Sequence, residues 1–199
     1  MKYFIVGLHS SGKQEVLDML EKLGISCGKL FSNIENPTEE VYNSYNYELY
    51  SDKDINDIFE NNAYVFIQEL QSPGNINSYK FFEGLSKYSF DQHEVFAISP
   101  DQLLAISQSS INEDVCFVWL DNTKTNRRSR YRVEKRSYNF NDRDYIEKSE
   151  IQTFVKFLYS FNNSHVLYFS NEDPARVATI IYSIITHPDL LEMYVKNFN

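Results

Sequence analysis

Cysteine is scarce in this chain, with only Cys27 and Cys116 among 199 residues. They lie far apart in motifless surroundings, which excludes a disulfide framework and zinc-ligand spacing; both read as buried thiols. Long apolar runs are also missing, since no stretch approaches the roughly 20 residues needed to cross a bilayer. The opening segment Met1–Gly7 is too short for a secretory leader and has no small-residue cleavage site. The expectation is a cytoplasmic protein with no membrane partner. Positive charge is in deficit, with a formal net charge of −9, which argues against general nucleic-acid binding. No internal repeat, low-complexity linker or obvious domain boundary interrupts the chain, so residues 1–199 read as a single domain. What is plentiful is aromatic: 15 Tyr and 15 Phe, within an apolar content of 42%, allow a ring-rich core.

The pattern along the chain alternates strand and helix. Tyr3–Val6 reads as a short buried strand. Val16, Leu17, Leu20 and Leu23 recur at helical spacing over 12–23, and Gly24 ends the run. Residues 25–50 read as irregular. Ser51-Asp52-Lys53-Asp54 is a helix N-terminus signature, with Ile55, Ile58 and Phe59 as the buried face. Ala63–Leu70, Glu94–Ser99, Val115–Leu120 and His165–Ser170 read as strands. Helices are expected over 80–90, 100–107, 123–136, 144–161 and 174–185, with a last short one from Pro188. The continuous apolar run Val115–Leu120 fits a central parallel strand. The alternation predicts an α/β fold with a mostly parallel sheet covered on both faces, and ligands beyond the carboxyl ends of its strands.

Gly7-Leu8-His9-Ser10-Ser11-Gly12-Lys13 fits G-x-x-x-x-G-K between a strand and a helix, which is the context this phosphate-loop motif requires. Glycines let the backbone amides turn toward a phosphate, and the following helix adds the positive end of its dipole. The candidate nucleotide-binding residues are therefore Gly7, His9, Ser10, Ser11, Gly12, Lys13 and Gln14. Lys13 would reach the outer phosphates. Gln14 stands where a Ser or Thr hydroxyl ordinarily meets Mg²⁺, which makes it the candidate metal contact. His9 reads either as an anion contact or as a solvent-facing spacer.

Basic residues are concentrated in one place. Segment 124–136 carries Lys124, Arg127, Arg128, Arg130, Arg132, Lys135 and Arg136 against Glu134 alone, a net +6, so the rest of the chain carries −15. On a helix, Arg128, Arg132 and Arg136 share one face, where like charges repel unless an anion relieves them. Three readings fit: a phosphate clamp for phosphoryl transfer, a solvated face, or an RNA contact with Tyr131 and Tyr138 interleaved. Tyr42, Tyr45, Tyr47 and Tyr50 either line an acceptor pocket or pack their rings on a small lobe.

The order of these motifs resembles guanylate kinase over most of the chain. The phosphate loop comes first. Tyr47-Glu48-Leu49-Tyr50-Ser51, followed by an acidic helix ending at Asn61-Asn62, is similar to the segment entering that family's GMP-binding lobe. Phe66-Ile67-Gln68-Glu69 is similar to the family's Phe-Ile/Leu-Glu strand, and Glu94–Ser99 to a strand that ends in Asp. From Val115 the arginine-rich helix, the strand at His165–Asn171 and a long helix follow the family's order. The resemblance implies a P-loop NTPase, nucleotide-kinase-like three-layer fold with a small inserted acceptor-binding lobe (about 27–95) and a lid (122–145). It implies ATP and Mg²⁺ as cofactors and phosphoryl transfer to a nucleoside monophosphate. Lys13 and Arg128, Arg132 and Arg136 would be catalytic; Tyr47, Gln68 or Glu69, Tyr79, Ser99 and Asp101 would hold the acceptor. The chain departs from the family at Gln14, at Gln68 in place of a Glu, at Ser99 in place of an Asp, and at Lys29, the only cation where an Arg stretch is expected. These departures imply an altered acceptor site. The alternative is a weak or inactive nucleotide-binding module on the same fold, open to a protein partner.

Overall fold

The computed structural model describes residues 1–8, 10–34, 47–71, 80–107, 111, 114–133, 151, 164–170 and 173–195. Its first strand, β1 (Lys2–Gly7), has five of six residues buried. The period of two sends its side chains to opposite layers. Tyr3 and Ile5 pack with Val16, Leu17 and Leu20 of helix α1 (Lys13–Lys22) and with a C-terminal helix described below. Phe4 and Val6 face the other way, into a ring-rich layer with Phe90, Phe96, Phe117 and Trp119. Phe4 lies 5.6 Å from Phe96 and 5.8 Å from Phe117, ring centre to ring centre.

After α1, β2 (Cys27–Gly28) runs at the edge of this sheet and β3 (Leu30–Ser32) already belongs to a second one. The second sheet adds β4 (Tyr47–Leu49), β5 (Tyr64–Gln71) and β6 (Lys80–Ser86) in the order β4-β3-β6-β5. Helix α2 (Asp52–Glu60) buries Ile55 and Ile58 against Phe31 of that lobe. Its start is set by a reciprocal cap: Ser51 Oγ accepts from the Asp54 amide, and Asp54 Oδ2 accepts from the Ser51 amide at 2.8 Å.

The chain returns through α3 (Lys87–Gln92) to β7 (Val95–Ile98), then α4 (Pro100–Ser107), β8 (Val115–Asp121) and α5 (Lys124–Val133). Strand β9 (Ser164–Ser170), α6 (Pro174–Thr186), a 3₁₀ turn (Pro188–Leu190) and α7 (Leu191–Tyr194) complete the described chain. The main sheet is β2-β7-β1-β8-β9, and every pairing in it is parallel. Helix α6 supplies Val177, Ala178, Ile181 and Ile184 to the Tyr3/Ile5 layer.

Two expectations need correction. Residues 25–50 are not wholly irregular, because β2, β3 and β4 lie among them. Residues 80–90 do not form one helix: they are strand through Ser86 and helix from Lys87. The adjacent Phe81 and Phe82 conceal the alternation, since a strand covered on both faces takes apolar residues on each side. Phe81, Glu83 and Leu85 share the buried face. Of the expected helices beyond 133 and over 144–161, Ile151 alone lies among the described residues, and it is helical.

Candidate active site

At the carboxyl end of β1 the chain turns into the loop that leads to α1. Ser10 (φ 54°) and Gly12 (φ 98°) both adopt left-handed backbone. Such a conformation at a serine is a strained choice, and functional loops concentrate strain of this kind. The Ser11 amide closes a turn on the Leu8 carbonyl at 3.1 Å. The Ser11 carbonyl accepts Asn122 Nδ2 at 2.7 Å, which ties the loop to the end of β8. Gly7 is required by close approach: a Cβ there would overlap Ser11 Oγ and come within 3.0 Å of the Leu120 carbonyl oxygen. The Lys13 ammonium reaches back across the loop to the carbonyls of Gly7 (2.7 Å) and Leu8 (3.1 Å). Gly12 caps α1 without a side-chain acceptor for the first-turn amides, the arrangement that suits an anion at a helix N-terminus.

The arginine beside this loop is Arg130. Its Nη1 lies 3.0 Å from Glu15 Oε2, and a Cβ added to Gly12 would overlap it. Arg127, three residues earlier on the same face of α5, is 2% exposed. Arg128 and Arg132, singled out from the sequence, are exposed. Arg136 and His9 lie outside the described residues. The signal for Arg127 and Arg130 was their own i, i+3 spacing. An almost wholly polar helix, however, has no apolar stripe to show which face turns inward.

Gln14 Nε2 donates to Asp18 Oδ1 at 2.7 Å. The residue at the expected Mg²⁺ position therefore offers no hydroxyl and has its amide nitrogen committed along α1. Among the described residues no group of three or more His, Cys, Asp and Glu side chains could hold a metal. Gln14 Oε1 is the atom at this position that could meet a metal, as a single ligand beside those a phosphate would bring. The helix N-terminus, with no side-chain cap, suits a phosphate.

A second polar cluster lies where the inserted lobe meets the main sheet. Glu83 of β6, 9% exposed, accepts Gln68 Nε2 at 2.5 Å and Gln102 Nε2 at 2.8 Å. The Tyr47 hydroxyl bonds to the same carboxylate and accepts from Gln102 Nε2 at 3.0 Å. Gln102 Oε1 accepts the Ser99 amide at 2.8 Å. This is half of a capping box at the start of α4. Asp101 adds a second carboxylate nearby, and its buried Oδ1 has no hydrogen-bond partner among the described residues. The structure thus brings Tyr47, Gln68, Ser99 and Asp101 together. Glu69 points to the other face of β5 and pairs with Lys80 at 2.7 Å, both side chains exposed. Tyr79 lies outside the described residues. Sequence reading missed Glu83 and Gln102; Gln102 could have been found as the third residue after Ser99 in Ser-Pro-Asp-Gln.

The two clusters lie at the carboxyl end of the main sheet, because Val6 and Ile98 are register partners on parallel strands. The loop follows the first and Ser99 the second. Burial raises the Glu83 pKa, outweighing the bonds from Gln102 and Gln68, and Asp101 adds to the rise. The folded state therefore keeps a proton that the unfolded chain releases once pH passes the ordinary glutamate range. Stability falls as pH rises from that range through the raised value, and levels off above it. Glu83→Gln is expected to remove this slope. In chemical denaturation across that window, the variant should gain on the wild type as pH rises; parallel curves would refute the assignment.

Among the described residues no helix is long and apolar enough to cross a membrane. No protein-family model matches the chain, and no curated protein matches it. Among solved structures it is similar to the crystal structure of guanylate kinase from Anaplasma phagocytophilum, with a TM-score of 0.56 and 11% sequence identity, over 100% of this chain and 90% of that one. This likeness establishes the fold alone: an α/β fold like that of the guanylate kinase, with a mostly parallel sheet.

Proposed function

We propose that this chain binds a nucleoside triphosphate, ATP in the first instance, in the Gly7–Lys13 loop, and that it serves transfer of the γ-phosphoryl group to a small acceptor. The acceptor would lie between Tyr47 and Gln68 of the inserted lobe and Ser99 and Asp101 at the end of β7. The resemblance to guanylate kinase makes a nucleoside monophosphate the acceptor class to test first. A cytoplasmic setting, where nucleotides are at hand, belongs to the same proposal. The observation that carries the reading is the loop itself: two left-handed residues, an open helix N-terminus and a lysine ammonium lying across the bend.

Bound ATP would supply the activated phosphoryl group; the chain's contribution is positioning and charge. Lys13 would exchange the carbonyls of Gly7 and Leu8 for phosphate oxygens. Arg130 would exchange the Glu15 carboxylate for another. These exchanges set an order among variants. Arg130→Ala is expected to weaken binding of a non-hydrolysable ATP analogue about tenfold, as loss of one charge-assisted hydrogen bond should. Arg128→Ala should change it by less than about twofold, since an exposed cation is screened. Glu15→Gln should tighten binding, because it removes the anion that competes for Arg130. Calorimetric titration of the three variants decides; equal effects of Arg128→Ala and Arg130→Ala would remove Arg130 from the site.

A second reading rests on Gln14, whose amide is held by Asp18. On it the chain is a nucleotide-binding module, with or without a protein partner, that turns over slowly or not at all. Titration of ATP with and without Mg²⁺, followed by ADP production over a panel of nucleoside monophosphates, separates the two. Acceptor-dependent ADP supports transfer. Tight binding indifferent to Mg²⁺ and without ADP supports the module.

A further inference from the structure

The donors of the interlobe cluster already surround an anion, and that anion belongs to the chain. The Glu83 carboxylate receives Gln68 Nε2, Gln102 Nε2 and the Tyr47 hydroxyl. Several N–H and O–H donors converging on one buried site is how proteins hold a ligand's phosphate or carboxylate. Here the partners are neutral amides and a phenol, and the second charged group close by, Asp101, has the same sign. Burying a carboxylate without a cation is unfavourable. A purely structural junction would be served as well by an apolar or amide side chain of similar size.

We propose that Glu83 is the specificity-determining residue of this cluster: when ionised it holds the anion position and bars a phosphate-bearing group from Tyr47, Gln68 and Gln102. The pocket is thereby left to acceptors that are uncharged or cationic on that side. The inference rests on reading the cluster as the acceptor site. It narrows that reading, because a monophosphate approaching Tyr47 would bring a further negative charge to two carboxylates in a poorly solvated place.

The test keeps the phosphate loop filled with a non-hydrolysable ATP analogue. GMP and AMP, with guanosine and adenosine as uncharged controls, are titrated calorimetrically into the wild type, Glu83→Ser and Glu83→Gln. The expected result is negligible monophosphate binding by the wild type and a gain of about tenfold or more in Glu83→Ser. Glu83→Gln, which removes the charge but keeps the volume, should show a smaller gain. Nucleoside affinities should stay within about twofold throughout. Monophosphate binding by the wild type as tight as by the variants overturns the inference, and so does the absence of a gain in both. Should Glu83→Ser fail to fold, the near-isosteric Glu83→Gln carries the comparison. Failure of the analogue to bind would count against the phosphate-loop reading. It would leave the monophosphate comparison decisive, because wild type and variants differ only in the pocket.

Discussion

Lys13→Ala is expected to abolish measurable phosphoryl transfer and to weaken triphosphate binding by about 10²–10³-fold, the usual consequence of deleting one preorganised donor from a phosphoryl-transfer site. The ammonium donates to the carbonyls of Gly7 and Leu8. Those are weak competitors for a cation against a phosphate oxygen, so the lysine is poised to leave them. The same geometry predicts little structural damage, because two bonds from a half-buried side chain contribute only about 1 kcal/mol each. Lys13→Met, similar in length and uncharged, separates charge from packing. Both variants should unfold within about 2 kcal/mol of the wild type while losing the nucleotide. ADP release and analogue titration read the function, and urea denaturation reads the fold. Full activity in either variant would remove the loop from the mechanism.

Gly12→Ala should cost both stability and binding, for separable reasons. The backbone at Gly12 is left-handed, which a Cβ disfavours by about 1–2 kcal/mol. The new methyl would also overlap Arg130 Nη1, while coming within 2.9 Å of Glu15 Oε2 and 3.1 Å of Pro174 Cγ. The guanidinium is the free end of a flexible side chain, so it can move away. Moving it breaks the Arg130–Glu15 pair and takes Arg130 from the mouth of the loop. Analogue affinity is expected to fall further than in Arg130→Ala alone, because the first-turn amides are displaced as well. The double variant Gly12→Ala/Arg130→Ala removes the collision with Arg130 and keeps the backbone strain and the close contacts with Glu15 and Pro174. Its stability should therefore remain below that of Arg130→Ala by the strain and those contacts. If the double variant recovers all the lost stability, the left-handed conformation carries no strain and the account of the loop fails.

The first two dozen residues were legible because their signals are local. Strand, bend and helix there depend on side-chain alternation, on glycines at fixed offsets and on apolar residues three and four apart, all within reach of one another in the chain. The same holds for the Ser51/Asp54 cap and for the central run Val115–Leu120. β6 was read as helix because a strand buried on both faces shows no alternation, and Phe81-Phe82 looks equally like the face of a short helix. Once β6 is known to be a strand, the inward position of Glu83 between Phe81 and Leu85 follows from the period of two. On the sequence alone it reads as one more surface carboxylate.

The arginine helix shows the limit from another side. Its existence was evident, but the sequence named the face of Arg128 and Arg132, and folding seats Arg130 instead. With cations all round, nothing within the helix distinguishes one face. The choice is made by Glu15 and by the space above Gly12, more than a hundred residues away in the chain.

By itself, then, the sequence determined the α/β class, the strand, bend and helix at its start and the presence of a basic helix, because these follow from interactions within a single turn or pleat. Only the tertiary structure decided the sheet order β2-β7-β1-β8-β9, the packing of Leu30, Phe66 and Leu85 of the second sheet into the ring-rich layer, and which of several carboxylates, amides and arginines meet. Those outcomes depend on burying whole faces of distant segments against one another, and that burial alone sets the phase in which each charged side chain turns inward or out.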